Sequence, residues 1–378
     1  MKRKHLIPWW KTNLGKSETA KVKEVILNRY ITQGVITEKL EKRLAKLLNI
    51  PYVVLTTNGS TALLMALVAL GIKPGDEVII PGLTFVATAQ APLLLGAKVK
   101  LVDVECKRPL IDVKRIEEAI TPKTKVIIPV HLNGRAADVK NIKKIAAKYS
   151  LKVVEDAVQA LCSQNSYGYL GTQSDIGAFS LGVTKLITAG QGGFVVTKDK
   201  NIFKMLKKIR NHGISSHSNP LPKCDTFGFN FKFNDILAGI GLSQIEKVKE
   251  KIQAHKNIYN FYKKELQNLD YIKIINVDTT KGELPLWVEA VCARREKVIA
   301  LLRSKRIQAK PFYPPLNESA YLNNRRVFKY SKIYANYGIV LPSGPDQSRE
   351  DLRYIVRILK EVNFNISPKF KLDISAIK

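Results

Sequence analysis

Between residues 50 and 200 short β-branched runs alternate with stretches of helical periodicity, and this alternation limits the possible folds more than any other feature of the chain. The runs lie at 52–55, 78–80, 99–102, 126–130, 153–155, 177–180 and 194–197. Between most of them apolar residues recur at i, i+3 and i+4, over 61–70, 86–95, 116–120 and 142–149. Strands separated by helices pair in parallel, because a crossover helix returns the chain to the same edge of the sheet. The expected fold class is α/β, a mainly parallel sheet between helices, and ligands of such sheets bind outside the carboxyl ends of the strands.

The remainder reads as α+β. Asn234 is a good N-cap ahead of a helical pattern over 235–262, as one helix or two. Two short strands near 271–275 and 285–291 follow, and helices at 295–305 and 349–362 flank the loop Lys310-Pro311-Phe312-Tyr313-Pro314-Pro315. Its prolines restrict the chain and position the aromatic pair. A length of 378 residues accommodates two packed domains, expected at 1–245 (large) and 246–362 (smaller, α+β), with 363–378 a poorly patterned tail.

Hydrophobic residues at 45% and charged residues at 25% place the chain in the ordinary globular range. No apolar run approaches the roughly 18 residues of a membrane span. The basic start, Met1-Lys2-Arg3-Lys4-His5, leads into an apolar stretch that stops at Lys11 without a cleavage site, so secretion is not expected. Cys106, Cys162, Cys224 and Cys292 form no CxxC pair, which argues against zinc and against a disulfide framework and for reduced thiols in a cytoplasm. No metal site is expected. The 62 basic and 32 acidic residues give a net charge of +30, a field that favours anionic partners. Those lysines are dispersed, as at Lys140, Lys143, Lys144, Lys148 and Lys152, and no stacking aromatics accompany them. Phosphorylated small molecules fit that distribution better than nucleic acid.

Three motifs could carry chemistry. Asn58-Gly59-Ser60-Thr61-Ala62 ends a strand and opens a helix, where backbone N–H groups and the helix dipole favour a phosphate; Ser60 fits equally well as an N-cap. Neither the P-loop nor the dinucleotide-binding glycine pattern occurs. Glu155-Asp156-Ala157-Val158-Gln159 puts two carboxylates at the carboxyl end of a buried strand. An aspartate there can hold a proton on the ring nitrogen of a heterocycle, or can cap the next helix, with Gln159 one turn further on. Finally, Gly177-Ala178-Phe179-Ser180 leads to Lys185 and then to Gly190-Gln191-Gly192-Gly193. A lysine in a glycine-lined phosphate pocket suggests Schiff-base chemistry. By position alone Lys185 is one lysine of many; the order of phosphate turn, strand-end aspartate and pocket lysine singles it out.

With these blocks, and with Gly75-Asp76-Glu77-Val78, Thr84-Phe85-Val86-Ala87-Thr88, Gly228-Phe229-Asn230-Phe231 and Pro311-Phe312-Tyr313-Pro314-Pro315-Leu316, the sequence resembles the DegT/StrS-type sugar aminotransferases over residues 15–362. The resemblance implies the fold type I of the pyridoxal-phosphate enzymes, a seven-stranded sheet in the large domain, and pyridoxal 5′-phosphate as cofactor. It implies that Lys185 carries the cofactor and shuttles the substrate proton, and that Asp156 pairs the pyridinium nitrogen. Phe85 would stack on the ring, Gln159 would lie near the phenolic oxygen, and Gly59, Ser60, Thr61 and Ser180 would hold the phosphate. Asn230 matches an asparagine that reaches the phosphate of the neighbouring subunit, which implies a homodimer with shared active sites. Tyr313 and Lys232 are the implied substrate contacts.

The sequence also departs from the family pattern. Lys232 stands where an arginine is frequent, so a planar bidentate fork is missing. Gln191 replaces an acid, and Asn317 stands where a histidine is common. His131 and His212 read as structural histidines. The resemblance implies transfer of an amino group from glutamate to a nucleotide-linked 4-keto-6-deoxy sugar, in amino-sugar and polysaccharide biosynthesis. Leu186-Ile187-Thr188-Ala189-Gly190 after the lysine favours C4 over C3. The alternatives are a pyridoxamine-phosphate-dependent sugar dehydratase, which carries histidine at the lysine position, and a non-catalytic cofactor-binding homologue.

Overall fold

A computed structural model describes residues 5–214, 223–322, 324, 326–362 and 370. The first strands are β1 (Tyr52–Thr56), β2 (Glu77–Pro81), β3 (Lys98–Val102), β4 (Thr124–Ile127) and β5 (Lys152–Asp156). A small hairpin, β6 (Gln164–Asn165) and β7 (Gly168–Tyr169), precedes β8 (Ile176–Ser180) and β9 (Gly193–Thr197). Seven of these form one sheet in the order β1-β9-β8-β5-β4-β2-β3. Only β9 runs against its neighbours; the other pairs are parallel. The expected α/β class and mainly parallel sheet therefore stand. On β2 the period of two divides the core: Val78 and Ile80 pack with residues of the helix Gly59–Ala69, and Ile79 packs with residues of the helix Val139–Lys148.

Where element boundaries differ from the sequence pattern, local chemistry explains the difference. The run at 126–130 forms a strand only to Ile127, because Pro129 has no N–H to continue the ladder; Val130 still bridges to Asp156. The pattern at 116–120 makes 3-10 turns, Val113–Arg115 and Glu117–Ala119, since Thr121 precedes Pro122 and is disfavoured in a helix. The pattern at 235–262 is two helices, Asp235–Glu246 and Val248–Leu266, and Asn234 caps the first by accepting from Leu237 N at 2.9 Å. Helices Lys16–Leu27, Val35–Leu48, Lys200–Arg210 and Lys329–Tyr337 are additional to those expected.

A second sheet is wholly antiparallel: β10 (Ile272–Ile274), β11 (Val288–Cys292), β12 (Lys310–Pro311) and β13 (Gly338–Leu341), in the order β10-β11-β13-β12. The N-terminal segment laces the two sheets together. Ile7 exchanges backbone hydrogen bonds with Arg306 and Gln308, Ser343 N donates to Trp9 O, and Trp10 Nε1 donates to Val183 O at 3.0 Å. The tail expected at 363–378 lies outside the described residues except for Phe370, which is buried edge-on against Tyr337. Among the described residues no helix is long and apolar enough to cross a membrane.

Candidate active site

The carboxyl ends of β1, β5 and β8 converge on a cavity of about 450 Å³. Beyond β1, Asn58 opens the helix Gly59–Ala69: its Oδ1 accepts from Thr61 N at 2.9 Å, and Thr61 Oγ1 accepts from Asn58 N at 3.0 Å. This reciprocal capping engages the Thr61 hydroxyl, and Thr61 does not line the cavity. Gly59, Ser60 and Ser180 do line it. The first N–H groups of this helix have no intrahelical acceptor and face an anion's natural position. A Cβ on Gly59 would stand 3.0 Å from the Ser180 side chain and 3.1 Å from Val158, so the turn is drawn close to the end of β8.

Asp156 ends β5 in the cavity wall. Its Oδ2 accepts from Thr88 Oγ1 at 2.8 Å, Thr84 Oγ1 lies 3.2 Å from Thr88 Oγ1, and Oδ1 accepts from Val158 N at 3.2 Å. Burial pushes this carboxyl above its usual range, against the opposing hydrogen bonds of Thr88 and Val158 and the charge of Lys185. Lys185 lines the same cavity. Burial of its ammonium lowers its pKa from 10.5 to about 8, with Asp156 opposing, and Nζ stands 5.2 Å over the ring of Trp287.

Behind Asp156 its neighbour Glu155 points to the other side of β5. Its carboxylate takes His131 Nε2 at 2.9 Å, Gly171 N at 2.8 Å and Gln173 N at 2.7 Å. Burial would raise its pKa, but these donors together bring it below the usual carboxylate range. Ala137 N donates to His131 Nδ1, so the neutral ring carries its proton on Nε2, toward Glu155. His131 has a buried bracing position, as the sequence reading held for it.

The opposite wall comes from the second sheet and the proline-rich loop. Leu316 N donates to Gly82 O at 2.8 Å and Phe312 N to Gly338 O at 2.9 Å, which hold Tyr313 in the cavity wall. Its ring meets Phe85 edge-on at 5.9 Å, and its hydroxyl accepts from Gln159 Nε2 at 3.4 Å. Phe85 is 48% exposed, an aromatic face open to the cavity. Asn133, in the left-handed region at φ 53°, gives its N–H to Gln159 Oε1 and clasps both backbone groups of Trp287 with its side-chain amide.

Several wall residues carried no role in the sequence reading: Thr88, Trp9, Trp287, Glu289 and Lys310. Glu289 is buried and pairs with Arg135 Nη1 at 2.6 Å; burial pushes its carboxyl up and Arg135 opposes. Its signal is a carboxylate at one alternating position of the apolar run Leu286-Trp287-Val288-Glu289-Ala290-Val291. Lys310 Nζ lies 3.6 Å over the ring of Trp9. Asn230 and Lys232 are not brought to this cavity. Asn230 is exposed and bridges to Asn211, and Lys232 Nζ donates to Asn211 Oδ1 at 3.2 Å.

The DegT/DnrJ/EryC1/StrS aminotransferase family model matches residues 12–360. GDP-perosamine synthase of Escherichia coli O157:H7 is 33% identical over 361 residues, which cover 94% of this chain and 98% of that protein. The dTDP-4-amino-4,6-dideoxy-D-glucose transaminase of Shigella dysenteriae is 33% identical over 343 residues, 88% of this chain and 92% of that one. The crystal structure of a sugar aminotransferase from Micromonospora echinospora superposes with a TM-score of 0.88 at 25% identity, covering 94% of this chain and 99% of that one. Matched over nearly its whole length in sequence and in fold, the chain belongs to the DegT/DnrJ/EryC1/StrS aminotransferase family.

Proposed function

We propose that the cavity holds pyridoxal 5′-phosphate and that the protein transfers an amino group from glutamate to C4 of a nucleotide-linked 4-keto-6-deoxy sugar. One observation carries this reading: a strand-end aspartate, a lysine of lowered pKa and a helix N-terminus share one cavity. The residues fit the group. Gly59, Ser60 and Ser180 suit its phosphate, Phe85 offers a ring face, and Asp156, aligned by Thr88 and Val158, suits a protonated ring nitrogen. When bound, the cofactor supplies an electron sink for negative charge on the amino-bearing carbon. Lys185 Nζ takes the proton from that carbon in the donor and returns one to the acceptor carbon, and a pKa near 8 suits both directions at neutral pH. Gln159, held by Asn133 N and in contact with Tyr313, orients the wall where the phenolic oxygen would lie.

The name of the Shigella relative, with its amino group on C4 of a dTDP-linked 6-deoxy sugar, supports that regiochemistry, and the charge of +30 suits a diphosphate substrate. A homodimer with shared sites belongs to the reading: Asn230 is exposed and away from its own cavity, flanked by the exposed Phe227 and Phe229. In the same reading Lys232, two residues on, is a substrate contact. A division near residue 245 is supported by the two sheets, whose strands lie at 52–197 and 272–341. Four free cysteines support a cytoplasmic setting.

The test is spectroscopic. Protein loaded with pyridoxal 5′-phosphate should lose its near-visible absorption on addition of glutamate, release 2-oxoglutarate, and recover the band on addition of a GDP- or dTDP-linked 4-keto-6-deoxyhexose. NMR of the product then locates the nitrogen. A spectrum unmoved by glutamate refutes the donor, and nitrogen at C3 refutes the regiochemistry.

The phosphate turn yields a second expectation. Gly193 opens β9 against Asn58, and a Cβ there would overlap the Asn58 carbonyl and stand 2.7 Å from Gly59 N. Gly193→Ala should displace the helix N-terminus and weaken pyridoxal 5′-phosphate binding about tenfold or more, equivalent to about 1.4 kcal/mol. Titration followed by fluorescence quenching measures it; an unchanged dissociation constant would detach the turn from the phosphate.

A further inference from the structure

Two buried polar atoms in the cavity wall have no hydrogen-bond partner: Nε1 of Trp287 and Oε1 of Glu289. The two residues are 5% and 1% exposed; Glu289 lies in β11 and Trp287 immediately before it, and both line the cavity. Everything else about them is fixed. Asn133 clasps the backbone of Trp287 from both sides, at 2.7 and 2.9 Å. Glu289 Oε2 takes Arg135 Nη1, while Arg135 is itself held by the carbonyls of Asn276 and Ile275 at 2.9 and 3.2 Å. A rigid donor, Trp287 Nε1, and a rigid acceptor, Glu289 Oε1, thus belong to one cavity wall, and neither atom has a hydrogen-bond partner in the chain. Buried groups left this way are uncommon in native proteins, because each has lost its water without replacement.

Their chemistry selects the partner. An indole N–H only donates and a carboxylate only accepts. A carbonyl satisfies Trp287 alone, and a carboxylate of the amino donor would be repelled by Glu289. A hydroxyl accepts from one and donates to the other. Its place follows from Lys185, whose Nζ lies 5.2 Å over the Trp287 ring, so a group held by this pair sits beside the reacting carbon rather than at the nucleotide end. We propose that Trp287 and Glu289 recognise the sugar hydroxyl on the carbon next to the one that receives the amino group. This rests on the aminotransferase reading above and adds the feature by which the acceptor sugar is selected.

The experiment compares the loaded wild type with Trp287→Phe and Glu289→Gln in two half-reactions: glutamate alone, and acceptance by a nucleotide-linked 4-keto-6-deoxyhexose or its 3-deoxy counterpart. The wild type should prefer the hydroxylated sugar by about 100-fold or more in kcat/KM, since a site built around a hydroxyl strands its own polar groups when the hydroxyl is missing. Trp287→Phe keeps the ring and the Arg135–Glu289 pair and deletes only the donor; it should erase about tenfold of that preference, with the glutamate half-reaction within about twofold of wild type. Glu289→Gln, which turns the free acceptor into a donor, should act in the same direction. Because Glu289→Gln leaves Arg135 without its counter-charge, the test stands on Trp287→Phe if the glutamine variant does not fold. Equal rates for the two sugars in the wild type, a preference unchanged in Trp287→Phe, or a parallel fall in the glutamate half-reaction would each overturn the assignment. A wild type that exchanges its amino group with glutamate but ignores both sugars overturns the parent reading, and the assignment with it.

Discussion

Lys185→Ala is expected to lower transamination by about 10,000-fold or more while leaving the protein folded. In the proposed reading two functions converge on Nζ, attachment of the cofactor and movement of the substrate proton, and the other ionisable groups of the cavity are engaged elsewhere: Glu289 pairs with Arg135, and Lys310 lies over the ring of Trp9. Asp156 is occupied by Thr88 and Val158, and Tyr313 is a buried phenol whose pKa burial pushes up, the wrong direction for a base. The fold should be indifferent. The backbone bond from Lys185 N to Gly182 O survives the substitution, and the lost side chain is one whose charge burial disfavours, as its lowered pKa shows. Circular dichroism and the thermal midpoint should therefore match wild type while 2-oxoglutarate release disappears. The same amine sets a pH dependence. With a pKa of about 8 it is mostly protonated at pH 7 and mostly neutral at pH 9, so loading of the apoprotein should accelerate about tenfold per unit up to pH 8 and level off above. A rise that continues to pH 10 would mean that Lys185 titrates as an ordinary lysine, and residual turnover within about 100-fold of wild type would remove it from the chemistry.

What was legible in the sequence follows from what is local. The strand-end motifs could be read because a turn, a cap and a buried strand each declare themselves within a few residues. Asn58 to Ser60, Asp156 and Lys185 accordingly share the cavity that the alternation of strands and helices predicts, while Thr61 turns away to cap its helix. The chain order of those motifs already encodes their convergence, since parallel strands bring their carboxyl ends to one edge of the sheet. Partnerships across the chain are another matter. Arg135 and Glu289 are 154 residues apart, and Thr88 and Asp156 are 68 apart, so no periodicity links either pair. The helix Lys329–Tyr337 has tyrosines, an asparagine and a β-branched residue where good helix formers are scarce, and it exists because Tyr334 and Ile333 are buried against the second sheet. Trp9 illustrates the same limit. It falls in a short apolar stretch to which the sequence assigns no role, yet the bond from Ser343 N to its carbonyl and the cation of Lys310 over its ring fix it in the cavity wall.

The two carboxylates of the cavity divide along these lines. Burial pushes both carboxyls up, Glu289 against the permanent cation of Arg135 and Asp156 against a lysine whose own charge burial disfavours. Stability and function therefore pull in opposite directions at residue 156. The folded pKa of Asp156 is raised above its unfolded value, so its contribution to stability is fully present at acid pH and is lost as pH rises through the folded pKa. At neutral pH the apoprotein carries that cost. Asp156→Asn removes it and keeps the geometry: the side-chain oxygen can still accept from Val158 N, and the amide can donate to Thr88 Oγ1, whose own hydrogen can turn to Thr84. The apoprotein should thus unfold at a denaturant concentration equal to or above that of wild type. Activity should fall about 100- to 1,000-fold, because an amide cannot hold a positive charge on the ring nitrogen and the electron sink becomes shallow. The loss should appear in kcat of both half-reactions, with KM for glutamate little changed, since Asp156 acts on charge that develops during reaction rather than on substrate binding. A variant that is both inactive and destabilised would make Asp156 a structural carboxylate, and one that keeps more than about a tenth of wild-type kcat would mean that the ring nitrogen is not paired there.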